Sequence, residues 1–124
     1  MPTPEPFTPV EVEAKIRHLM RRIDATLVEL GAAENDYAES LYAYEHKRLS
    51  EFTTIRSSGR CALDDAKEGA KLAALPEYRA HLITEARVKT LRASIGALRD
   101  ELSGAQTLAR MTADEAGLGR YGRG

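Results

Sequence analysis

Apolar residues recur mostly at intervals of three and four along two long stretches of the sequence. Such spacing places apolar side chains on one face of an α-helix. The first stripe consists of Val12, Ile16, Leu19, Ile23, Leu27, Leu30, Tyr37, Leu41, Tyr44, Leu49, Phe52 and Ile55, and the second consists of Val88, Leu91, Ile95, Leu98, Leu102, Ala105 and Ala109. Because segments with strand-like alternation are nearly absent, the pattern predicts an all-α fold.

A short break separates the two stretches at Ser57-Ser58-Gly59. Glycine tolerates positive φ, and serine side chains offer the backbone hydrogen bonds that compete with the helical ladder. A long helix can therefore end and reverse here. The sequence predicts a long antiparallel helical hairpin that resembles a coiled coil.

The start of the first helix carries a clear signal at Thr8-Pro9-Val10-Glu11. Threonine can cap the helix, proline suits the first helical position, and glutamate three residues after the threonine can bond back to it. We expect helix 1 to cover about residues 9–56. The proline-rich residues 1–8 are predicted to be a disordered segment.

The second arm is predicted to follow a turn at about residues 57–61 and to cover about residues 62–113. Pro76 lies within this arm, and proline either kinks a helix or divides it in two. The sequence leaves both alternatives open. Residues 114–124, rich in glycine, are expected to form a flexible tail.

Several apolar residues lie off the two stripes, so the apolar faces are wider than one partner helix can cover. Proteins usually bury such faces in at least two packed layers. The sequence therefore predicts that two hairpins dimerise into a four-helix bundle, or that a protein partner of unknown identity covers the faces. The predicted interface residues are Met20, Val28, Tyr42, Leu82, Ile83 and Leu108.

The charge balance argues against a polyanion as the main partner. The chain has 18 basic and 19 acidic residues, a formal net charge of −1, whereas nucleic-acid-binding domains are usually basic. A hairpin also places basic residues of one arm opposite acidic residues of the other. It is expected to place Lys15, Arg17, Arg21 and Arg22 opposite Asp100 and Glu101, and Glu29 near Arg92.

An alternative function is that of a nucleic-acid accessory factor in DNA recombination or replication. This function depends on basic residues near the turn and in the C-terminal tail that are not paired with acidic residues. The candidate phosphate contacts are Lys47, Arg48, Arg56, Arg60, Arg120 and Arg123. Phosphate contacts of this kind weaken steeply as salt rises.

Catalytic chemistry has little support. Three possible metal ligands lie four residues apart on one helical face: Glu77, His81 and Glu85. Their spacing does not match the Glu-x-x-His spacing of helical di-metal proteins. A solvated helix face is therefore the simpler interpretation. Cys61 has arginines nearby but no His or Asp constellation in the local sequence, and we interpret it as structural. We expect no enzyme activity, metal or cofactor.

The location expected from the sequence is the cytoplasm. A single cysteine suits a reducing compartment. The N-terminus lacks the features of a signal peptide, and no apolar run approaches the roughly 18 residues of a membrane span. No membrane partner is predicted.

The stretch LRASIGALRDELSGAQTLARM, residues 91–111, together with the long first helix, resembles small coiled-coil proteins of unassigned function from bacteriophages of high-GC bacteria. The excess of arginine over lysine agrees with such a genome. The resemblance implies a phage-encoded interaction protein of adaptor, assembly or inhibitor type in the host cytoplasm. The chain differs from WXG-type helical hairpins because it contains no tryptophan.

Overall fold

The structure is a computed structural model that describes the backbone of residues 8–59 and 61–121 and the side chains of residues 8–59 and 61–115. These ranges contain helices and no strands, so the predicted all-α fold class is confirmed. The described chain has three helices, because the second arm is divided in two. They are, in chain order, α1 (Pro9–Ser57), α2 (Leu63–Ala73) and α3 (Leu75–Tyr121).

The capping signal at the start of α1 forms the predicted reciprocal pair of hydrogen bonds. The Thr8 backbone N–H donates to Glu11 Oε2 at 3.2 Å, and the Glu11 N–H donates to Thr8 Oγ1, also at 3.2 Å. Two backbone donors that a helix start leaves without partners are thereby satisfied. The segment expected to be disordered lies outside the described residues, apart from Thr8.

The end of α1 has the conformation that the Ser-Ser-Gly sequence favours. Gly59 has φ 74°, a left-handed conformation that costs glycine little. The hydroxyl groups of Ser57 and Ser58 donate to the carbonyl oxygens of Thr54 and Ile55 at 2.8 and 2.6 Å. These side chains occupy the carbonyl oxygens of the last turn, as expected for a helix end.

The second arm contains a break at Ala74, so of the two alternatives that Pro76 left open the arm takes the one with two helices. Ala74 has φ −96° and ψ 9°, and its N–H still bonds to the Ala70 carbonyl at 3.1 Å. Pro76 is the second residue of α3, where a missing N–H is tolerated. Proline cannot bond to the Leu72 carbonyl, and this interrupts the ladder between α2 and α3.

The tail expected to be flexible from residue 114 is helical as far as Tyr121, where α3 ends. The Thr112 Oγ1 donates to the Leu108 carbonyl at 2.8 Å, a bond that a threonine makes within a continuing helix. Residues 122–124 lie outside the described part of the chain.

The chain divides into two units. Unit 1 comprises residues 1–28 and 93–124, of which residues 8–28 and 93–121 are described. In this unit the start of α1 packs against the second half of α3. Its core cluster consists of Ile16, Leu19, Ile23, Leu98, Leu102 and Ala105.

Unit 2 comprises residues 29–92 and contains the second half of α1, all of α2 and the start of α3. The contacts between α1 and α3 in this unit are Glu34–Arg92, Asp36–Arg87, Ser40–Thr84 and Tyr44–Tyr78. Residue numbers rise along α1 as they fall along α3. The two segments are therefore antiparallel in this unit.

Small residues let α2 approach its neighbours closely. Ala66, Ala70 and Ala74 are completely or almost completely buried. A Cβ atom added to Gly69 would lie 3.0 Å from Ile55 Cδ1, which leaves almost no free space at that position. Helix α2 is therefore held by close packing, although its buried side chains are small.

Candidate interaction surface

A pair of exposed apolar side chains marks the outer face of α1 in unit 2. Tyr42 and Leu49 are 72% and 54% exposed. They are seven residues apart and therefore lie on the same helical face. The Tyr42 ring stacks on the His46 ring, with the centroids 5.9 Å apart. We call Tyr42 and Leu49 the α1 stripe.

A second row of exposed apolar side chains runs along the start of α3. Leu75, Tyr78 and Leu82 follow one another at intervals of three and four and are 40% to 50% exposed. The first two, together with Tyr44 and Lys71, line a groove of about 320 Å³. We call Leu75, Tyr78 and Leu82 the α3 stripe.

The contacts between α1 and α3 set the level of the two stripes within unit 2. Ser40 contacts Thr84, and Tyr44 contacts Tyr78. Tyr42 lies between these contacts on α1, so it is level with the segment of α3 between Tyr78 and Thr84. That segment contains the last member of the α3 stripe.

All six predicted interface residues are exposed, and they are divided between the two units. Tyr42 and Leu82 belong to the two stripes. Ile83 follows Leu82 directly, and successive residues point about 100° apart around a helix. Met20, Val28 and Leu108 belong to unit 1, where Met20 and Leu108 line different surface depressions. The interface role of these six residues stays a prediction.

Sequence reasoning missed Leu49, Leu75 and Tyr78 as surface residues. Leu49 was assigned to the inner stripe although it follows Tyr44 by five residues. At its level, however, the half-buried positions are Lys47, Arg48 and Glu51. The spacing of Leu75, Tyr78 and Leu82 was present in the sequence and could have identified the α3 stripe as a separate apolar face.

A polar cluster lies at the α1–α3 contact of unit 2. The hydroxyl oxygens of Ser40 and Thr84 are 2.7 Å apart, and His81 Nδ1 is 3.5 Å from Ser40 Oγ. The Tyr37 and His81 rings contact each other, with centroids 4.9 Å apart. His81 is only 8% exposed. The interpretation of its helical face as solvated is therefore wrong for His81, because that face turns towards α1.

Glu85 connects this cluster to the surface. Its Oε1 accepts a bond from Lys89 Nζ at 2.9 Å, and its Oε2 lies 3.9 Å from His81 Nε2. The hydrogen bond and charge of Lys89 lower the pKa of Glu85, and His81 adds to this effect. Glu85 in turn raises the pKa of Lys89. Among the described residues, no group of three or more His, Cys, Asp or Glu side chains could hold a metal ion.

Two of the cations proposed to contact phosphate are engaged within α1. Lys47 Nζ lies 3.0 Å from Glu51 Oε1, and Arg48 Nη2 donates to Glu45 Oε2 at 2.6 Å. The hydrogen bond and charge of Glu51 raise the pKa of Lys47, and the hydrogen bond to Glu45 raises the pKa of Arg48. Each positive charge therefore has a carboxylate beside it.

The remaining proposed phosphate contacts lie near the turn and at the C-terminus. Arg56 Nη1 donates to the backbone carbonyl of Cys61 at 3.2 Å, and Cys61 is a half-buried free cysteine. Arg60 and Arg123 lie outside the described residues. Arg120 falls within α3, but its side chain is not among those described.

Charge placement between the helices agrees with the expected pattern only in part, because Lys15 and Glu101 line the same surface depression of unit 1 but other expected pairs differ. Arg92 Nη2 donates to Glu34 Oε1 at 3.1 Å rather than contacting Glu29. In unit 1, Arg17 pairs with Glu13 of its own helix at 2.7 Å. Across the described side chains, no salt bridge joins Arg21 to an acidic residue of α3.

Comparison with known proteins gives no relative for this chain: no protein-family model, no curated protein and no solved structure matches it. The helices in the described ranges include none that is both long and apolar enough to span a membrane. The function must therefore be argued from the surface itself.

Proposed function

We propose that this chain is a non-enzymatic helical interaction protein that self-associates through exposed apolar helix faces. The observation that carries the proposal is the presence of two exposed apolar stripes within unit 2, on α1 and α3. An adaptor, assembly or inhibitor role in a host cytoplasm, as the resemblance to phage coiled-coil proteins implies, belongs to the same proposal.

The small apolar core supports association. The buried apolar residues of the described chain include five alanines, and Leu19 is the one large side chain that is less than 2% exposed. An alanine methyl group contributes far less on burial than the roughly 1.5 to 3 kcal/mol of a leucine or valine side chain. Covering the stripes would add apolar burial that the single chain lacks.

The exposed residues also have the character of an interface. Isolated exposed apolar side chains are normal on a protein surface, whereas contiguous ones mark sites of interaction. Leu75 and Tyr78 line one groove together with Tyr44. Aromatic residues such as Tyr78 are enriched where proteins meet.

The alternative, a nucleic-acid accessory factor, has weaker support. Lys47 and Arg48 have carboxylate partners and Arg56 has a carbonyl partner. Recruiting phosphate would require these contacts to be exchanged. A titration with single-stranded and duplex DNA at two salt concentrations tests the alternative, because phosphate binding falls steeply with salt. No binding at low salt would remove it.

The test of self-association compares the full-length protein with Leu82→Glu and Val10→Glu variants by size-exclusion chromatography with light scattering. A carboxylate in the α3 stripe would have to be desolvated on association, so Leu82→Glu should shift the protein towards monomer. Val10 is also exposed but lies in the first turn of α1, in unit 1, and its variant serves as the matched control.

We expect the wild type and Val10→Glu to associate at tens of micromolar and Leu82→Glu to dissociate at the same concentration. Helical circular dichroism of each variant checks that the helices are retained. A monomeric wild type with native helicity would contradict the proposal.

A further inference from the structure

We infer that the α3 stripe is covered by the α3 stripe of a second copy of this chain, with the two helices antiparallel about a twofold axis near Tyr78. The inference rests on the proposed function and names the surface and the arrangement of the two copies. The α1 stripe takes no part in this contact, because it lies on the side of α1 opposite to Ser40 and Tyr44, which contact α3.

The α3 stripe has a leucine at each end and a tyrosine between them. Leu75 and Leu82 are 50% and 45% exposed, and Tyr78 is 40% exposed. In an antiparallel contact, Leu75 of each copy would face Leu82 of the other, and both copies of Tyr78 would lie near the axis. Tyr44 of α1 borders the same groove, with its ring centroid 5.1 Å from that of Tyr78, so the apolar surface extends onto α1.

An ion pair flanks each end of the α3 stripe. Lys71 Nζ lies 3.7 Å from Glu68 Oε1 at the N-terminal end, and Lys89 Nζ lies 2.9 Å from Glu85 Oε1 at the C-terminal end. Counted outward from the stripe, the lysine comes first at the N-terminal end and the glutamate comes first at the C-terminal end. The two ends therefore carry their charges in opposite order.

This order makes the surface complementary to a reversed copy of itself. Glu68 precedes the first residue of the stripe by seven positions, and Lys89 follows the last one by seven. The antiparallel contact therefore places Glu68 of each copy opposite Lys89 of the other, and Lys71 close to the level of Glu85. A parallel contact would oppose Glu68 to Glu68 and Lys89 to Lys89.

The net charges of the two flanking segments agree with this arrangement. Helix α2 contains three acidic and two basic residues, whereas residues 85–92 of α3 contain one acidic and three basic residues. An antiparallel contact brings the acidic segment of one copy beside the basic segment of the other. A parallel contact brings segments of like charge together.

Two charged residues lie within the length of the stripe itself, Glu77 and Arg79. Glu77 is one helical turn from His81, on the face that turns towards α1, and one of its carboxylate oxygens is buried. Arg79 borders the stripe near the axis, where the two copies bring like charges together. Its long side chain can carry the charge out into solvent, where salt screens the repulsion.

Disulfide cross-linking between two single-cysteine variants tests the arrangement. Both full-length variants carry Cys61→Ser; one adds Leu75→Cys and the other adds Leu82→Cys. They are mixed in equal amounts, allowed to exchange and oxidised mildly, and the products are identified by mass spectrometry. A third variant, with Ile83→Cys in place of Leu82→Cys, is the matched control, because successive residues of a helix point about 100° apart. Light scattering before oxidation reports whether each variant associates.

The inferred arrangement predicts that the mixed 75–82 disulfide exceeds the 75–75 and 82–82 products by at least severalfold, and that the 83 variant forms little mixed product. Predominant 75–75 and 82–82 linkage in a protein that associates would overturn the antiparallel arrangement and leave the proposed function intact. A wild-type protein that is monomeric in light scattering would overturn both.

Reversing the flanking charges tests the same contact without altering the stripe. Lys89→Glu would oppose a carboxylate to Glu68 at both ends and should raise the dissociation constant of the dimer about threefold or more. Adding Glu68→Lys restores opposite charges across the contact and should bring the constant back to within about twofold of the wild type. Sedimentation equilibrium measures both constants. A double variant that associates no better than Lys89→Glu alone would overturn the inference.

Discussion

The hydroxyl groups of Ser40 on α1 and Thr84 on α3 lie 2.7 Å apart and join the two helices inside unit 2. Ser40 Oγ also lies 2.9 Å from the Tyr37 carbonyl, and Thr84 Oγ1 lies 2.8 Å from the His81 carbonyl. Each hydroxyl has one proton to donate. One hydroxyl therefore donates to the other, and the acceptor hydroxyl donates to the carbonyl of its own helix.

Replacing Ser40 by alanine should lower the free energy of unfolding by about 1 kcal/mol, the usual net contribution of a part-buried hydrogen bond. Urea denaturation at fixed protein concentration measures the change. Thr53→Ala is the matched control, because the Thr53 hydroxyl donates to the Leu49 carbonyl at an exposed site, and its effect should stay below about 0.5 kcal/mol.

A double-mutant cycle with Thr84→Val extends this test. If the hydroxyl pair joins the helices, the effects of Ser40→Ala and Thr84→Val should be non-additive by at least about 0.5 kcal/mol. Additive effects would show that the two hydroxyl groups contribute independently, through the carbonyl oxygens of their own helices.

Replacing a buried alanine of α2 with a larger residue should show how closely this helix is packed against its neighbours. Ala70 is 1% exposed, so Ala70→Leu must displace neighbouring side chains and should lower the free energy of unfolding by about 1 to 3 kcal/mol. Ala73→Leu, at an exposed position of the same helix, should be nearly neutral. Chemical denaturation of both variants measures the difference. Equal effects would mean that α2 is loosely packed.

The sequence predicted the helices well where local chemistry decides. The capping pair of Thr8 and Glu11 and the left-handed Gly59 follow from residue type alone. The burial of the small residues of α2 depends on which helix lies opposite them, and so does the burial of His81. The break at Ala74, two residues before Pro76, was one of two outcomes that proline permits.

The surface was harder to predict for the same reason. Tyr42 and Leu82 were identified because they depart from the main apolar spacing. Leu49 follows Tyr44 by five residues, which places it about 140° around the helix from Tyr44, and it is exposed. The neighbouring helix determines which residues of a regular apolar pattern are buried.

The pKa of Glu85 should lie below its ordinary value because Lys89 donates a hydrogen bond to it. A depressed carboxyl pKa adds stability above the pKa of the unfolded chain, and this stability is lost as pH falls through the lower folded value. Carbon-detected NMR titration of Lys89→Gln should show the pKa of Glu85 moving up towards the ordinary value. Arg87→Gln, which removes a partner of Asp36 instead, should leave the pKa of Glu85 almost unchanged.

The N-terminal cap should control the first turn of α1. Thr8→Ala removes the acceptor for the Glu11 N–H and should destabilise the turn by about 1 kcal/mol, while Thr8→Ser retains the acceptor. Amide hydrogen exchange of Glu11 reports the change locally, with several-fold faster exchange expected in the alanine variant. Equal exchange in both variants would mean that the cap contributes little.

The association of the wild-type chain is the most direct test of the account. Sedimentation equilibrium between 1 and 100 μM, in buffer of physiological ionic strength, gives the mass without any variant. We predict that the mass rises with concentration from the 13.6 kDa of one chain towards twice that value. A mass that stays at one chain across the whole range, with the helices intact, would contradict the claim that another copy covers the α3 stripe.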